Sequence, residues 1–162
     1  MVITAYPHTS NWDLLFYLLT AWALRVPLSW MGKESLFRGP SGAILRRLGG
    51  IAIRRDRNEN VVAQMKRTFA ERDELCLLIA VEGTRRHVPY LKSGFYHIAL
   101  TAGVPIALGF LDYGRKQAGI GGLVEPTGDI RADMAGMRDF FDGRVGLYPE
   151  CVGEMRLREE DV

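Results

Sequence analysis

A histidine and an aspartate near the start of the chain have the residue types and spacing of a catalytic pair. His8 and Asp13 are five residues apart, which on one continuous helix separates them by about 140° around the axis. If His8 lies in a loop and Asp13 in the first turn of the following helix, the carboxylate points back and can reach the imidazole. The aspartate then fixes the ring tautomer and leaves the other ring nitrogen free to take a proton from a substrate hydroxyl.

The same segment has a second interpretation that involves no chemistry. Ser10-Asn11-Trp12-Asp13 has the pattern of a capping box, in which the aspartate only accepts hydrogen bonds from backbone N–H groups at the start of a helix. An isolated histidine such as His8 is also compatible with a packed or solvated side chain. The spacing alone does not decide whether Asp13 pairs with His8 or only caps the helix.

A second candidate site is Glu82-Gly83-Thr84-Arg85, which follows a near-continuous apolar run. Gly83 allows a ligand to approach the backbone closely, and the guanidinium of Arg85 can bind an anion. The alternative is a tight turn closed by an ion pair between Glu82 and Arg85. Further basic side chains that suit phosphate, or that simply face solvent, are Lys33, Arg46, Arg47, Arg54, Arg55, Arg57 and Lys92.

Apolar runs alternate with amphipathic stretches along the chain, and this alternation predicts the fold. Strands are predicted over residues 2–6, 51–53, 75–81 and 104–111. Helices are predicted over residues 12–24, 41–48, about 59–73, 94–101 and 129–141. The order is typical of an α/β protein with a mostly parallel sheet flanked by helices, in which ligands bind beyond the carboxyl ends of the strands. His8 and Glu82 both directly follow predicted strands.

Length and composition predict one domain over residues 1–162, with an acidic tail at about 150–162. The tail has five acidic and two basic residues, although the whole chain carries a net charge of +2. Cys76 and Cys151 have neither disulfide-framework nor metal-ligand spacing, as expected in a reducing cytoplasm. The longest apolar stretch, 14–24, is too short to cross a bilayer, and no secretory signal is present.

Several function classes are excluded by the absence of their motifs. The sequence contains no Gly-x-Gly-x-x-Gly, no Gly-Lys-Ser/Thr loop, no His-Glu-x-x-His and no Gly-x-Ser-x-Gly. Nucleotide hydrolysis, zinc proteolysis and serine-nucleophile chemistry therefore lack support. A net charge of +2 without a basic and aromatic stripe also argues against nucleic acid as a partner.

Four sequence blocks together resemble the glycerolipid acyltransferase family, which includes the 1-acylglycerol-3-phosphate acyltransferases. The blocks are His8-x4-Asp13, Gly49 to Arg55, Glu82-Gly83-Thr84-Arg85 and Val104-Pro105-Ile106, and they span residues 8–106. The resemblance implies a fold like that of the family, with His8 as general base and Asp13 as its orienting partner. It also implies that Arg55, Glu82, Gly83, Thr84 and Arg85 bind the phosphate-bearing acceptor.

The resemblance implies transfer of a fatty acyl group from acyl-CoA or acyl-carrier protein to a hydroxyl of lysophosphatidate or a related lysolipid. No covalent acyl-enzyme, metal or tightly bound cofactor is expected. Pro7 and Ala52 depart from the residues common in the family, so the acceptor stays open. Two alternatives are a non-catalytic module that binds anionic lipid, and an acyltransferase that acts on an amine or a glycolipid.

The predicted helix at 12–24 is apolar almost all round. Trp12, Phe16, Tyr17 and Trp22 on it can contact lipid directly, or the helix can be buried in the core. Many members of the family carry membrane helices before the histidine, whereas seven residues precede His8 here; we expect either a compact form of the family or a truncated chain. The predicted location is the cytoplasm, with a peripheral contact at the inner face of the membrane left open.

Overall fold

The computed structural model describes residues 1–53 and 60–161. Within these residues the chain forms six strands and five α-helices. The strands are β1 (Val2–Tyr6), β2 (Leu28–Lys33), β3 (Gly50–Ile53), β4 (Cys76–Ala80), β5 (Ile106–Asp112) and β6 (Gln117–Val124). The helices are α1 (Trp12–Ala23), α2 (Pro40–Arg47), α3 (Val61–Ala70), α4 (Gly94–Ala102) and α5 (Ile130–Phe141), and short 3-10 turns occupy Glu34–Phe37, Pro149–Cys151 and Arg158–Asp161.

All six strands belong to one sheet, in the order β3-β2-β4-β1-β5-β6. The first five are parallel, and β6 runs antiparallel to β5. β1 is central, and its Val2 lies opposite both Leu77 of β4 and Ile106 of β5. The predicted α/β fold with a mostly parallel sheet is confirmed. The carboxyl ends of β1, β2, β4 and β5 therefore meet at one edge of the sheet.

Each predicted element is present, with bounds that differ by up to a few residues. The helix expected behind Asn58 begins at Val61, and the side chain of Asn60 caps it by accepting a hydrogen bond from Val62 N at 3.0 Å. Asn58 itself lies outside the described residues. Strands β2 and β6 were not predicted, since neither has a continuous apolar run: glycine interrupts both, and three of the eight residues of β6 are glycine.

The two faces of the sheet carry separate cores. Helices α3, α4 and α5 cover one face, where Phe95, Tyr96 and Met134 are fully buried. Helix α1 and the segment 34–47 cover the other face, where Tyr17 and Phe37 are buried. Burial of such side chains is the main stabilising contribution to the fold.

Helix α1 is apolar on its outer side as well as on the side that packs on the sheet. We call the exposed residues the outer stripe; they recur every three or four positions and therefore lie along one line of the helix. The outer stripe consists of Trp12, Leu15, Phe16, Leu19 and Trp22. The helix is thus both core-forming and surface-exposed.

The C-terminal segment, residues 144–161, packs back onto the domain. Leu157 is fully buried and forms a β-bridge with Leu91. The Glu160 carboxylate accepts a hydrogen bond from Arg138 of α5 at 2.6 Å, and Asp161 forms an ion pair with Arg156. The acidic residues at this end therefore bond to other parts of the chain.

Candidate active site

The parallel strands bring the residues that could take part in a reaction to one edge of the sheet. His8 lies in the loop after β1, Lys33 is the last residue of β2, and Glu82 follows β4 closely. Tyr113 is the first residue after β5. These four positions lie where parallel-sheet proteins bind their ligands.

His8 and Asp13 contact each other as the sequence predicts. Nδ1 of His8 lies 3.1 Å from Oδ2 of Asp13, which is in the first turn of α1. An ionised carboxylate can only accept, so Nδ1 is the protonated ring nitrogen and Nε2 is left with a free lone pair. The Asp13 side chain is 0% exposed and that of His8 is 18% exposed. His8 can therefore meet a substrate, while Asp13 is sealed behind it.

Asp13 also accepts the hydrogen bonds that the capping interpretation requires. Its Oδ2 accepts from Thr9 N at 2.8 Å and from Ser10 N at 2.9 Å, and Ser10 Oγ accepts from Trp12 N. Burial would raise the pKa of Asp13, but hydrogen bonds from His8, Tyr113 and Ser10 outweigh burial and hold that pKa below its ordinary value. The same carboxylate therefore both pairs with His8 and caps the start of the helix.

Glu82 is a second buried carboxyl group beside the same loop. It is 0% exposed, and its Oε2 accepts a hydrogen bond from the backbone N–H of His8 at 2.8 Å. Its Oε1 is buried without a hydrogen-bond partner in the described part of the chain. Burial, and secondarily the negative charge of Asp13, raise the pKa of Glu82 to about 8. Glu82 therefore keeps its proton at neutral pH, and its hydrogen bond with His8 N holds the backbone of His8 in place.

The remaining predicted residues of this block face solvent. Gly83, Thr84 and Arg85 are exposed, and Gly83 has a φ of +68°, a conformation that favours glycine. The ion pair expected between Glu82 and Arg85 does not form; Glu82 bonds to His8 instead, and Arg85 has no hydrogen-bond or ion-pair partner among residues 1–53 and 60–161. Arg55, the other predicted phosphate ligand, lies outside the described residues, as do Arg54 and Arg57.

An apolar cavity of about 330 Å³ opens beside His8. It lies between α1 and the end of β2, and its lining includes Lys33 and Leu36. The other lining residues are mostly apolar: Ala5, Leu14, Tyr17, Trp30, Met31, Gly32, Leu78 and Ala80. A cavity of this size with few polar groups suits part of a flexible apolar ligand.

Two contacts of the site were not found from the sequence. The Tyr113 hydroxyl donates to Asp13 Oδ1 at 2.6 Å, and Thr9 Oγ1 accepts from Tyr148 N at 3.2 Å. The partners are 100 and 139 residues apart in the chain, so no local spacing pattern links them. The one available signal was the position of Tyr113 just after a predicted strand.

The described residues contain no group of three or more His, Cys, Asp and Glu side chains that could hold a metal ion. Nor does any helix in the ranges 1–53 and 60–161 have the length and apolar character needed to cross a bilayer. The expectation that no cofactor is needed stays a prediction.

The pKa of Glu82 predicts how the stability of the domain depends on pH. Because the folded protein holds this proton up to about pH 8 and the unfolded chain releases it near its ordinary, lower pKa, the Glu82 contribution to stability falls as pH rises between those values. Glu82→Gln removes the titration and keeps an acceptor for His8 N. The wild type should lose this contribution as the pH rises, and the variant should not. From pH 5 to pH 8 the difference in free energy of unfolding between Glu82→Gln and wild type should therefore shift by about 2–4 kcal/mol in favour of the variant, as measured by urea denaturation.

The matched control is Glu125→Gln, which changes an exposed glutamate in the same way. Its stability profile should stay parallel to that of the wild type. If the stability of Glu82→Gln depended on pH in parallel with that of the wild type, Glu82 would not be a buried carboxyl group that keeps its proton at neutral pH.

Comparisons with known proteins bear on the fold and the family of the chain. A crystal structure of the 1-acyl-sn-glycerophosphate (LPA) acyltransferase PlsC from Thermotoga maritima is similar in fold, with a TM-score of 0.57 and 18% identity over 85% of this chain. The likeness covers 61% of the PlsC chain. No curated protein sequence matches significantly. The profile of the Acyltransferase family matches residues 1–107, a range that includes His8, Asp13 and Glu82 to Arg85, and the chain therefore belongs to the Acyltransferase family.

Proposed function

We propose that this protein transfers a fatty acyl group from the thioester of acyl-CoA or acyl-carrier protein to a hydroxyl of lysophosphatidate or a related lysolipid. The observation that carries the proposal is the His8–Asp13 pair, whose histidine lines an apolar cavity. The family supplies the reaction class, and the solved relative is by its title an acyltransferase of lysophosphatidate. The acceptor and the donor are proposals for this chain.

The proposed reaction uses His8 as general base. The acceptor oxygen bonds to the thioester carbonyl carbon as its proton moves to Nε2 of His8, and Asp13 stabilises the imidazolium that forms. When the tetrahedral intermediate collapses, the C–S bond breaks and the leaving thiolate takes the proton from His8. The histidine returns to its neutral form, and no covalent acyl-enzyme is required.

The cavity beside His8 is the proposed site of the acyl chain. Its lining includes the apolar side chains of Leu14, Trp30 and Leu78 together with His8. A chain bound there by burial of its methylene groups presents its carbonyl to the histidine.

Arg85 is the proposed ligand of the acceptor phosphate. It is exposed, it has no ion-pair partner in the described residues, and it follows Glu82, which holds His8 N. A guanidinium with free donors binds phosphate by charge-assisted hydrogen bonds. Arg55 is proposed for the same role on the family resemblance alone.

The outer stripe of α1 is proposed to contact the membrane surface that supplies the lipid substrates. Asp13, the single charged side chain of this helix, is buried, and Trp22 is 80% exposed. On the same face of the sheet, Ile44 and Leu48 are exposed beside Arg46. An apolar surface flanked by arginine suits an anionic bilayer, which makes the inner face of the membrane the proposed location.

Activity of His8 and Asp13 variants tests the mechanism. In an assay of thiol release from acyl-CoA in the presence of lysophosphatidate, His8→Ala should lose roughly 10²–10⁴-fold in kcat because general-base catalysis is removed. Asp13→Asn should also lose most activity, since the amide no longer stabilises the imidazolium. The control His97→Ala, at a partly exposed histidine on α4, should retain activity. Acceptor-dependent release that persists undiminished in His8→Ala would refute the mechanism.

The role of Arg85 is tested by comparing acceptors with and without phosphate. Arg85→Ala should raise KM for lysophosphatidate by about 10–100-fold, the value of one or two charge-assisted hydrogen bonds. KM for monoacylglycerol, which has no phosphate, should change little. Arg72→Ala, an exposed arginine before β4 and so at the opposite edge of the sheet, is the control. An equal KM increase for both acceptors would contradict phosphate recognition.

Membrane contact is tested by sedimentation with phosphatidylglycerol vesicles. Trp22→Ser should weaken binding about tenfold, because one large apolar side chain no longer enters the interface. Leu100→Ser, an exposed apolar residue of α4 on the other face of the sheet, should bind like the wild type. Identical binding of Trp22→Ser and wild type would show that the outer stripe is not the contact surface.

A further inference from the structure

Both oxygens of the Asp13 carboxylate accept hydrogen bonds. Oδ2 accepts hydrogen bonds from His8 Nδ1 and from the backbone of Thr9 and Ser10. Oδ1 accepts from the Tyr113 hydroxyl at 2.6 Å, its one donor in the described residues. Tyr113 therefore supplies the donor for the second oxygen of a buried carboxylate, and losing it would leave that oxygen unsatisfied.

Tyr113 is itself held in place by several contacts. Its backbone N–H donates to Val145 O at 2.9 Å, and its ring packs edge-on against Phe16 of α1 with centroids 6.0 Å apart. The turn that carries it is closed by Asp112, whose carboxylate accepts two hydrogen bonds from Arg115. The hydroxyl is therefore presented to Asp13 by a structured turn.

We propose that Tyr113 is a positioning residue of the reaction, acting through Asp13 to orient the His8 imidazole toward the acceptor hydroxyl. This inference rests on the proposed general-base role of His8. In Tyr113→Phe the ring and its packing on Phe16 are kept and Oδ1 is left buried without a donor. The carboxylate then turns away from His8 or takes up a proton. Either change weakens the hydrogen bond between Asp13 and Nδ1 of His8 that orients the imidazole.

The electrostatic surroundings of Asp13 give the expected direction of the pH effect. The ionisable groups that interact with Asp13 are His8, Tyr113, Tyr17 and Glu82. Tyr17 donates to Gly109 O, and Glu82 keeps its proton at neutral pH. Loss of the Tyr113 donor therefore raises the pKa of Asp13 without compensation. Because the proposed reaction requires an ionised Asp13, the step of the acidic limb that reports Asp13 moves to higher pH.

The test compares Tyr113→Phe with a structurally matched tyrosine. Tyr96 also donates to a carboxylate, Asp133, at 2.6 Å, but it lies in the core on the other face of the sheet. We expect Tyr113→Phe to lower kcat about tenfold, as part of the general-base contribution, with KM for the thioester nearly unchanged and the acidic limb displaced. Tyr96→Phe should lower the melting temperature and leave kcat and the pH profile unchanged.

A second readout does not depend on turnover. The chain has three histidines, so the ¹⁵N spectrum of histidine-labelled protein resolves the tautomer of His8. Wild type should show the Nδ1–H form, and Tyr113→Phe a mixture of both tautomers. If the wild type transfers no acyl group, the proposed function fails, yet the spectrum still tests Tyr113.

The inference is overturned if Tyr113→Phe keeps kcat within about twofold, an unshifted acidic limb and an unchanged His8 spectrum. A fall in melting temperature alone, as in Tyr96→Phe, would then mean that Tyr113 only ties the turn to α1.

Discussion

The site depends on the burial of one ionised carboxylate. Asp13 is fully buried, and a buried charge is strongly destabilising unless donors surround it. The donors come from the loop after β1 and from Tyr113 after β5. The bonds that make the charge tolerable are the bonds that fix the loop and direct Nδ1 of His8, so the geometry of the site and the stability of the buried charge have the same origin.

A second carboxyl group lies close by in the opposite protonation state. Burial raises the pKa of Glu82 to about 8, whereas hydrogen bonds hold that of Asp13 low. Two carboxyl groups whose pKa values are driven apart can do different work in one site. Asp13 supplies a negative charge that faces the imidazole, and Glu82 accepts a backbone hydrogen bond without adding a second charge.

Local patterns predicted much of this arrangement. Strand β1 was predicted with its observed bounds, and the position of Asp13 at the start of a helix predicted its contact with His8. The burial of Glu82 against the loop after β1 was not predicted, because its surroundings depend on the distant β1. Tyr113 and Tyr148 were not predicted, since their partners lie more than 90 residues away. The roles of His8, Asp13, Glu82 to Arg85 and Arg55 stay predictions.

The central place of β1 in the sheet affects how the protein can fold during synthesis. Of the six strands this one is synthesised before the others, whereas its neighbours β4 and β5 are made much later. Until they emerge, β1 and the apolar α1 have no sheet to pack on and are suitable clients for chaperones. The backbone of Tyr148, which bonds to Thr9, is made later still. A nascent chain can thus contain both sequence motifs before it has an ordered site, because the contacts that complete the site come from residues made later.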